Sequence, residues 1–286
     1  MKMNNLSECY TLSNGVEIPC IGFGTLYIPD GKETINAVQD AIDIGYRHID
    51  TATIYGNEKS IGDAIKDNNI VSRENLFITS KLWNSKQGFE STLAAFDKTM
   101  KDLQLEYLDL YLIHWPVAKG HKEDWQKSIL DTWKAFEKLY KEGKIRAIGI
   151  SNFLPHHLNA LMANAEIQPV VNQLELHPGY TQNETVLFCQ KYNILIEAWG
   201  PLGQGKMLPN PLLKEIAKKY NKNVAQLCIR WSLQNGFLPL PKSVTPSRIS
   251  ENAKVFDFEI NHEDVEIINT MPYSGGSGLN PDNIDF

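Results

Sequence analysis

The chain alternates between two hydrophobic periods and keeps that alternation through most of its length. Ile35, Val38, Ala41 and Ile42 fall on one face of a helix, Gly45 stops the run, and a short apolar stretch follows at 48–50. The unit recurs with Ile61, Ala64 and Ile65 before residues 76–81, and with Leu93, Phe96, Met100 and Leu103 before 108–113. Trp133, Phe136 and Leu139 precede 146–150, Leu158 and Leu161 precede 170–174, and Val186, Leu187 and Cys189 precede 194–199. Two helical patterns, one on Leu213, Ile216 and Ala217 and one on Val224, Leu227, Cys228 and Trp231, lead to the last apolar stretch at 237–241. Strands that are apolar throughout are buried on both faces, and parallel neighbours need a helix to bring the chain back. Counting 21–25 as the first, eight such strands predict an α/β fold, a (β/α)8 TIM barrel rather than an open doubly wound sheet.

Around this frame, Ser13-Asn14-Gly15 between two β-prone runs predicts an N-terminal hairpin at the bottom of the barrel. The strand Ile21-Gly22-Phe23-Gly24-Thr25 has glycines that admit a close ligand or backbone, but it lacks the G-x-G-x-x-G of a dinucleotide-binding turn. The helices outnumber the strands by two, and the Gly-, Pro- and Asn-rich tail from Met271 reads as a loop across the barrel mouth. No linker divides the chain, so residues 1–286 read as a single domain. A net charge of −6 and no Lys/Arg cluster argue against nucleic acid as a partner. The start has no apolar leader and no stretch is apolar for long enough to span a bilayer, so a cytoplasmic protein is expected. Cys9, Cys20, Cys189 and Cys228 lack metal or disulfide spacing, and His156, His157 and His177 read as surface or loop residues; no metal is expected.

Polar side chains at the carboxyl ends of barrel strands face a common rim. Asp50, Tyr55, Lys81 and His114 come from three consecutive strand–loop junctions and so converge. An ammonium beside a phenol lowers its pKa from roughly 10, a carboxylate holds the ammonium in place, and an imidazole N–H can orient a carbonyl oxygen. The same four groups also admit a structural account, with Asp50 and Lys81 as an ion pair, Tyr55 as packing and His114 bonded to backbone.

The motifs G-Y-R-H-I-D-T-A-T-I-Y-G-N-E, I-T-S-K-L-W, L-D-L-Y-L-I-H-W-P, I-G-I-S-N-F and L-P-K-S-V-T-P-S-R-I-S-E-N occur in order, and with them the chain resembles the aldo-keto reductase family along essentially its whole length. The resemblance implies NADPH-dependent reduction of aldehydes and ketones, with Tyr55 as proton donor, Lys81 and Asp50 tuning it, and His114 orienting the carbonyl. It also implies a cofactor laid over the barrel top. Gly24 and Thr25 fall within that site, and Ser151, Asn152 and Gln173 correspond to the carboxamide-binding groups. Trp199 takes the place of the aromatic ring that stacks on the nicotinamide, where many members have Tyr. Gly200, Leu202, Gly203, Gln204, Gly205 and Lys206 resemble the loop over the pyrophosphate. Lys242, Ser243, Val244, Thr245 and Arg248 resemble the 2′-phosphate site, and Glu251 and Asn252 flank the adenine. Residues alone support the phosphate assignment: Thr245 is a plausible cap, Pro246 a first helical residue, and Lys242 and Arg248 add charge.

Tyr27, Trp83 and Trp115 follow strand ends and, with His114, are expected to line the substrate pocket. The short loops resemble those of the bacterial branch that includes diketogluconate reductases and general aldehyde reductases. The expected partner is a small carbonyl compound, and the expected state a monomer. An alternative within the same resemblance is an NADPH-binding regulatory subunit with little turnover; a metal-dependent hydrolase would want H-x-H at a strand end, which is lacking.

Overall fold

Asn14 and Gly15 reverse the chain between β1 (Cys9–Thr11) and β2 (Glu17–Pro19), with Gly15 at a φ of 83° that favours glycine. The structure, a computed structural model, describes residues 3–286. The hairpin closes the barrel bottom: Asn14 Nδ2 donates to the Arg146 carbonyl at 3.0 Å, and Leu12 and Ile18 pack with Phe77, Leu110, Leu112 and Val171 inside the barrel.

Eight parallel strands follow: β3 (Phe23–Gly24), β4 (His48–Asp50), β5 (Phe77–Leu82), β6 (Leu108–Ile113), β7 (Ile145–Ser151), β8 (Val171–Glu175), β9 (Leu195–Trp199) and β10 (Leu238–Leu240). Each is hydrogen-bonded to the next in sequence order. Along β6 the pleat sends Leu110 and Leu112 into the barrel and Tyr111 and Ile113 outward under the helices, the period of two expected of a strand. The outer layer holds α1 (Lys32–Ile44), α2 (Glu58–Lys66), α3 (Phe89–Leu103), α4 (Trp125–Lys141), α5 (Pro155–Met162) and α6 (Asn183–Lys191). Two helices, α7 (Pro211–Lys219) and α8 (Val224–Gln234), precede β10, and α9 (Pro246–Ala253) and α10 (His262–Asn269) follow it. Ten helices against eight barrel strands among the described residues make the two extra helices anticipated.

The seam of the barrel explains two glycines. Gly22 N donates to Pro239 O and Gly24 N to Pro241 O, both at 3.1 Å, joining the first strand to the last. A Cβ on Gly22 would stand 2.5 Å from Leu240 Cδ2 and 2.6 Å from His48 Nδ1, and one on Gly24 3.1 Å from Leu240 O. These glycines admit backbone as well as the cavity that Gly24 borders.

The tail after α10 crosses the mouth. Ser277 donates through N and Oγ to Glu175, each at 2.7 Å, Lys206 Nζ donates to Gly276 O at 2.8 Å, and Phe286 stacks on Trp83 with centroids 5.4 Å apart.

Candidate active site

The carboxyl ends of the strands open into a cavity of about 1400 Å³, larger than an ordinary small-molecule pocket and able to hold an extended ligand beside a small one. Its floor is polar because Asp50 ends β4, Lys81 lies near the end of β5 and His114 follows β6. Tyr55 reaches the same place from a single turn at Thr53–Tyr55. Asn57 holds the loops around it: its Nδ2 donates to Thr25 O and Ile28 O at 3.0 Å, and its Oδ1 accepts from Thr51 Oγ1 at 2.8 Å.

Lys81 is fully buried, and its Nζ donates to both Asp50 oxygens at 2.7 and 2.8 Å, to Thr51 O at 2.8 Å and to Tyr55 OH at 3.4 Å. Burial alone pushes the ammonium pKa down, but Asp50 and then Tyr55 outweigh it and the net shift is upward, so Lys81 stays charged. Tyr55 departs from the sequence expectation. Burial raises its pKa, Lys81 lowers it, and burial wins, so the phenol keeps its proton more firmly than a free tyrosine. Burial and then Lys81 hold His114 well below the usual imidazole range, so it is neutral. Its Nδ1 is buried without a partner, which suits a bare lone pair there and the N–H on Nε2.

Behind this group lies a second layer. Gln173 Nε2 donates to Asp50 Oδ2 at 2.9 Å and to Glu197 Oε2 at 2.8 Å, so both amide hydrogens are taken and its carbonyl oxygen is what it offers the cavity. Ser151 Oγ donates to Gln173 O at 2.8 Å. Asn152, at a φ of 63°, donates to His114 O at 2.9 Å and to Ser151 Oγ at 3.0 Å, and accepts from Trp199 Nε1 at 2.9 Å. Asn152 thereby ties the indole of Trp199 to the segment carrying His114. Thr25 is buried behind Asp50, donating to its carbonyl at 2.9 Å, and also borders the cavity.

The remaining anticipated residues divide. Gly200, Leu202, Gln204 and Gly205 line the cavity, and so do Lys242, Ser243, Arg248, Glu251 and Asn252. Gly203 is buried and outside the lining, Lys206 is turned to the tail, and Val244 and Thr245 are not part of the lining; Thr245 is the N-cap of α9 with Pro246 first in the helix, as its sequence suggests. Lys214 and Lys218 on α7 and Asn221 after it also line the cavity. The sequence reading missed them because a helix with apolar residues on one face does not reveal what its polar face meets. Lys242 and Arg248, like Lys214 and Lys218, form no ion pair among the described residues and border the cavity. Tyr27, Trp83, Trp115 and Phe286 also line the cavity, with the Trp83 ring 5.2 Å from that of His114 and Phe286 against both indoles. Tyr27 is strongly exposed and has a φ of 61°, a conformation that non-glycine residues rarely take.

His157 and His177 correct the surface assignment: both are fully buried, His177 within a loop, while His156 beside His157 is exposed. With Asp282, His156 and His157 bring three possible metal-ligand atoms within 4.8 Å of one another. The hydrogen bonds oppose a metal, because His157 Nδ1 accepts from Leu154 N at 3.1 Å, so its Nε2 must carry the proton that faces Asp282 Oδ1 at 3.0 Å. His156 Nε2 lies 2.7 Å from the same oxygen, and the cluster fastens the tail to α5.

A parallel barrel with polar groups gathered at its C-terminal rim has the architecture of a barrel enzyme. The sequence pattern of the Aldo/keto reductase family matches residues 20–271, and the chain belongs to that family. It is 51% identical over 282 residues to glyoxal reductase of Bacillus subtilis (strain 168), covering 99% of each chain. It is 49% identical over 284 residues to the 9,11-endoperoxide prostaglandin H2 reductase of Trypanosoma cruzi (strain CL Brener), covering 98% of this chain and 97% of that one. Among solved structures, an aldo-keto reductase enzyme from a Medee basin deep-sea metagenome library superposes with a TM-score of 0.91 at 45% identity, over 97% of this chain and all of the other. A Gox0644 mutant in complex with NADPH superposes with a TM-score of 0.90 at 39% identity, over 98% of this chain and 99% of that one.

Proposed function

We propose that this protein reduces small aldehydes and ketones to alcohols with NADPH, working as a single barrel domain and as a cytoplasmic monomer. The observation that carries the reading is the meeting of Asp50, Lys81, Tyr55 and His114 in one cavity that is also lined by Lys242 and Arg248, neither of which forms an ion pair among the described residues. Those residues fit a phosphorylated dinucleotide. Unpaired cations suit a 2′-phosphate, the free carbonyl oxygen of Gln173 suits a carboxamide N–H, and Trp199, locked by Asn152, presents a flat ring. Reductase and NADPH in the names of the relatives point the same way.

When bound, the cofactor supplies hydride to the carbonyl carbon. His114, neutral with its N–H on Nε2, orients the carbonyl oxygen by a hydrogen bond that strengthens as negative charge develops there. Tyr55 then delivers its phenolic proton to that oxygen, and Lys81, clamped by Asp50, stabilises the phenolate left behind. Trp83, Trp115 and Phe286 exclude water on the substrate side. No helix among the described residues is long and apolar enough to cross a membrane.

The test follows NADPH absorbance, and separately NADH, with methylglyoxal, nitrobenzaldehyde, an aldose and a diketone. Turnover preferring NADPH supports the reading. Tight NADPH binding without turnover of any of them would favour a cofactor-binding regulatory subunit.

A further inference from the structure

Glu197 is a carboxyl group in the middle of β9, with no exposed surface. Its Oε2 accepts from Gln173 Nε2 at 2.8 Å, while Oε1 has no partner within hydrogen-bond range and stands 3.9 Å from His48 Nε2. His48 is itself committed to Thr79 Oγ1 at 2.9 Å. An ionised carboxylate with one orphaned oxygen in a barrel core is costly, whereas a neutral carboxyl carries its proton on that oxygen. The opposite residue on β10, Leu238, is apolar.

The charged and titratable groups around Glu197 are few. His48 and Asp50 come from β4, Lys81 from β5, and Tyr55 joins them through Lys81. The ammonium of Lys81 is already satisfied by both oxygens of Asp50, so Glu197 has no cation of its own. What connects Glu197 to the chemistry is one nitrogen: Gln173 Nε2 spans Glu197 and Asp50.

We propose that Glu197 is a positioning residue for carbonyl reduction, a buried neutral carboxyl that holds the Gln173 amide and, through it, sets Asp50 against Lys81. The proposal rests on the reductase reading above. Two consequences follow from the geometry. With Glu197 in place both hydrogens of the Gln173 amide point inward, so its carbonyl oxygen stays turned to the cavity. Ionisation of Glu197 would place a second negative charge on the same amide, draw it from Asp50, and raise the proton affinity of Lys81 and Tyr55, making Tyr55 a poorer acid. Burial and the nearby Asp50 push the Glu197 carboxyl up to about 8, against the Gln173 bond and Lys81, so that change falls within reach of a rate profile.

The test compares wild type with Glu197→Leu and Glu197→Gln. The leucine variant, which loses the anchor for Gln173, is expected to lose about ten-fold or more in kcat. The glutamine variant has the shape of the protonated acid and is expected to recover most of that loss, while its alkaline limb for reduction moves up by about one pH unit or more. Infrared difference spectra between about pH 6 and about pH 10, taken without substrate, are expected to show a protonated buried carboxyl in the wild type that is missing in E197Q. A rate profile of E197Q that superimposes on wild type, full kcat in E197L, or no acid band in the wild type would each overturn the proposal. Absence of turnover in the wild type itself counts against the reductase reading, and the infrared band still decides the charge state of Glu197.

Discussion

Lys81 and Asp50 form a buried two-pronged pair, Nζ lying 2.7 and 2.8 Å from the two carboxylate oxygens, and the same nitrogen reaches Tyr55 OH at 3.4 Å. The pair keeps a positive charge beside a phenol in a place where burial by itself pushes the ammonium pKa down. Lys81→Met should therefore act twice. Reduction is expected to fall by roughly 10²–10⁴-fold, the usual worth of a positioned proton-transfer system. Stability is expected to fall by about 3–5 kcal/mol, because Asp50 is left buried without its cation. Steady-state kinetics and denaturant titration measure the two effects; a variant that loses stability while keeping its rate would make the pair structural only.

Trp199 donates to Asn152 Oδ1 at 2.9 Å, and Asn152 in turn donates to the carbonyl of His114. Trp199→Phe keeps a ring but removes the N–H. The loss of that bond is expected to cost about 0.5–1.5 kcal/mol in stability and to weaken NADPH binding several-fold. Fluorescence titration and thermal melts check this, and unchanged binding would show that the ring alone sets the site.

Arg248 borders the cavity without an ion-pair partner among the described residues. Arg248→Ala is expected to weaken NADPH by about 10- to 100-fold, the worth of a hydrogen bond to a charged group, and NADH much less. Equal losses for the two cofactors would put the 2′-phosphate elsewhere.

Two buried groups set opposite limits on stability with pH. Burial and then Lys81 hold His48 down to about 3 from an ordinary 6.5, so the unfolded chain takes up the proton first. The stability from neutral His48 is full above about pH 6.5 and is lost as the pH falls toward about 3. Glu197 has the reverse sign: its folded value near 8 lies above the ordinary 4.5, so its contribution is full below about 4.5 and is lost as pH rises through about 8. Melting temperature against pH should form a dome, with His48→Asn flattening the acid side and Glu197→Gln the alkaline side. An unchanged dome in both variants would mean that other groups control it.

The barrel was legible because its strands are short, apolar and regularly separated by helices of period 3.6, a pattern with few competing folds. The rim was legible because Asp50, Lys81 and His114 stand where apolar runs end. Side chains whose use depends on distant partners were not. Gly24 serves the seam with Pro241, which lies far along the chain. Lys206 sits in a glycine-rich loop but is drawn to the tail at Gly276. His157 looked like a loop residue, yet it is buried and holds Asp282. For Tyr55 the sequence named the neighbour that lowers the pKa but not the burial that outweighs it. Glu197 left one trace, a lone acid in the otherwise apolar run I-L-I-E-A-W.

The central claim is that Tyr55 supplies the proton. Its most direct test is Tyr55→Phe, measured for carbonyl reduction and, in the same preparation, for NADPH binding by fluorescence. Reduction is expected to fall by roughly 10²–10⁴-fold with NADPH affinity largely intact. Substantial turnover in the phenylalanine variant would contradict that claim and assign proton delivery to another group.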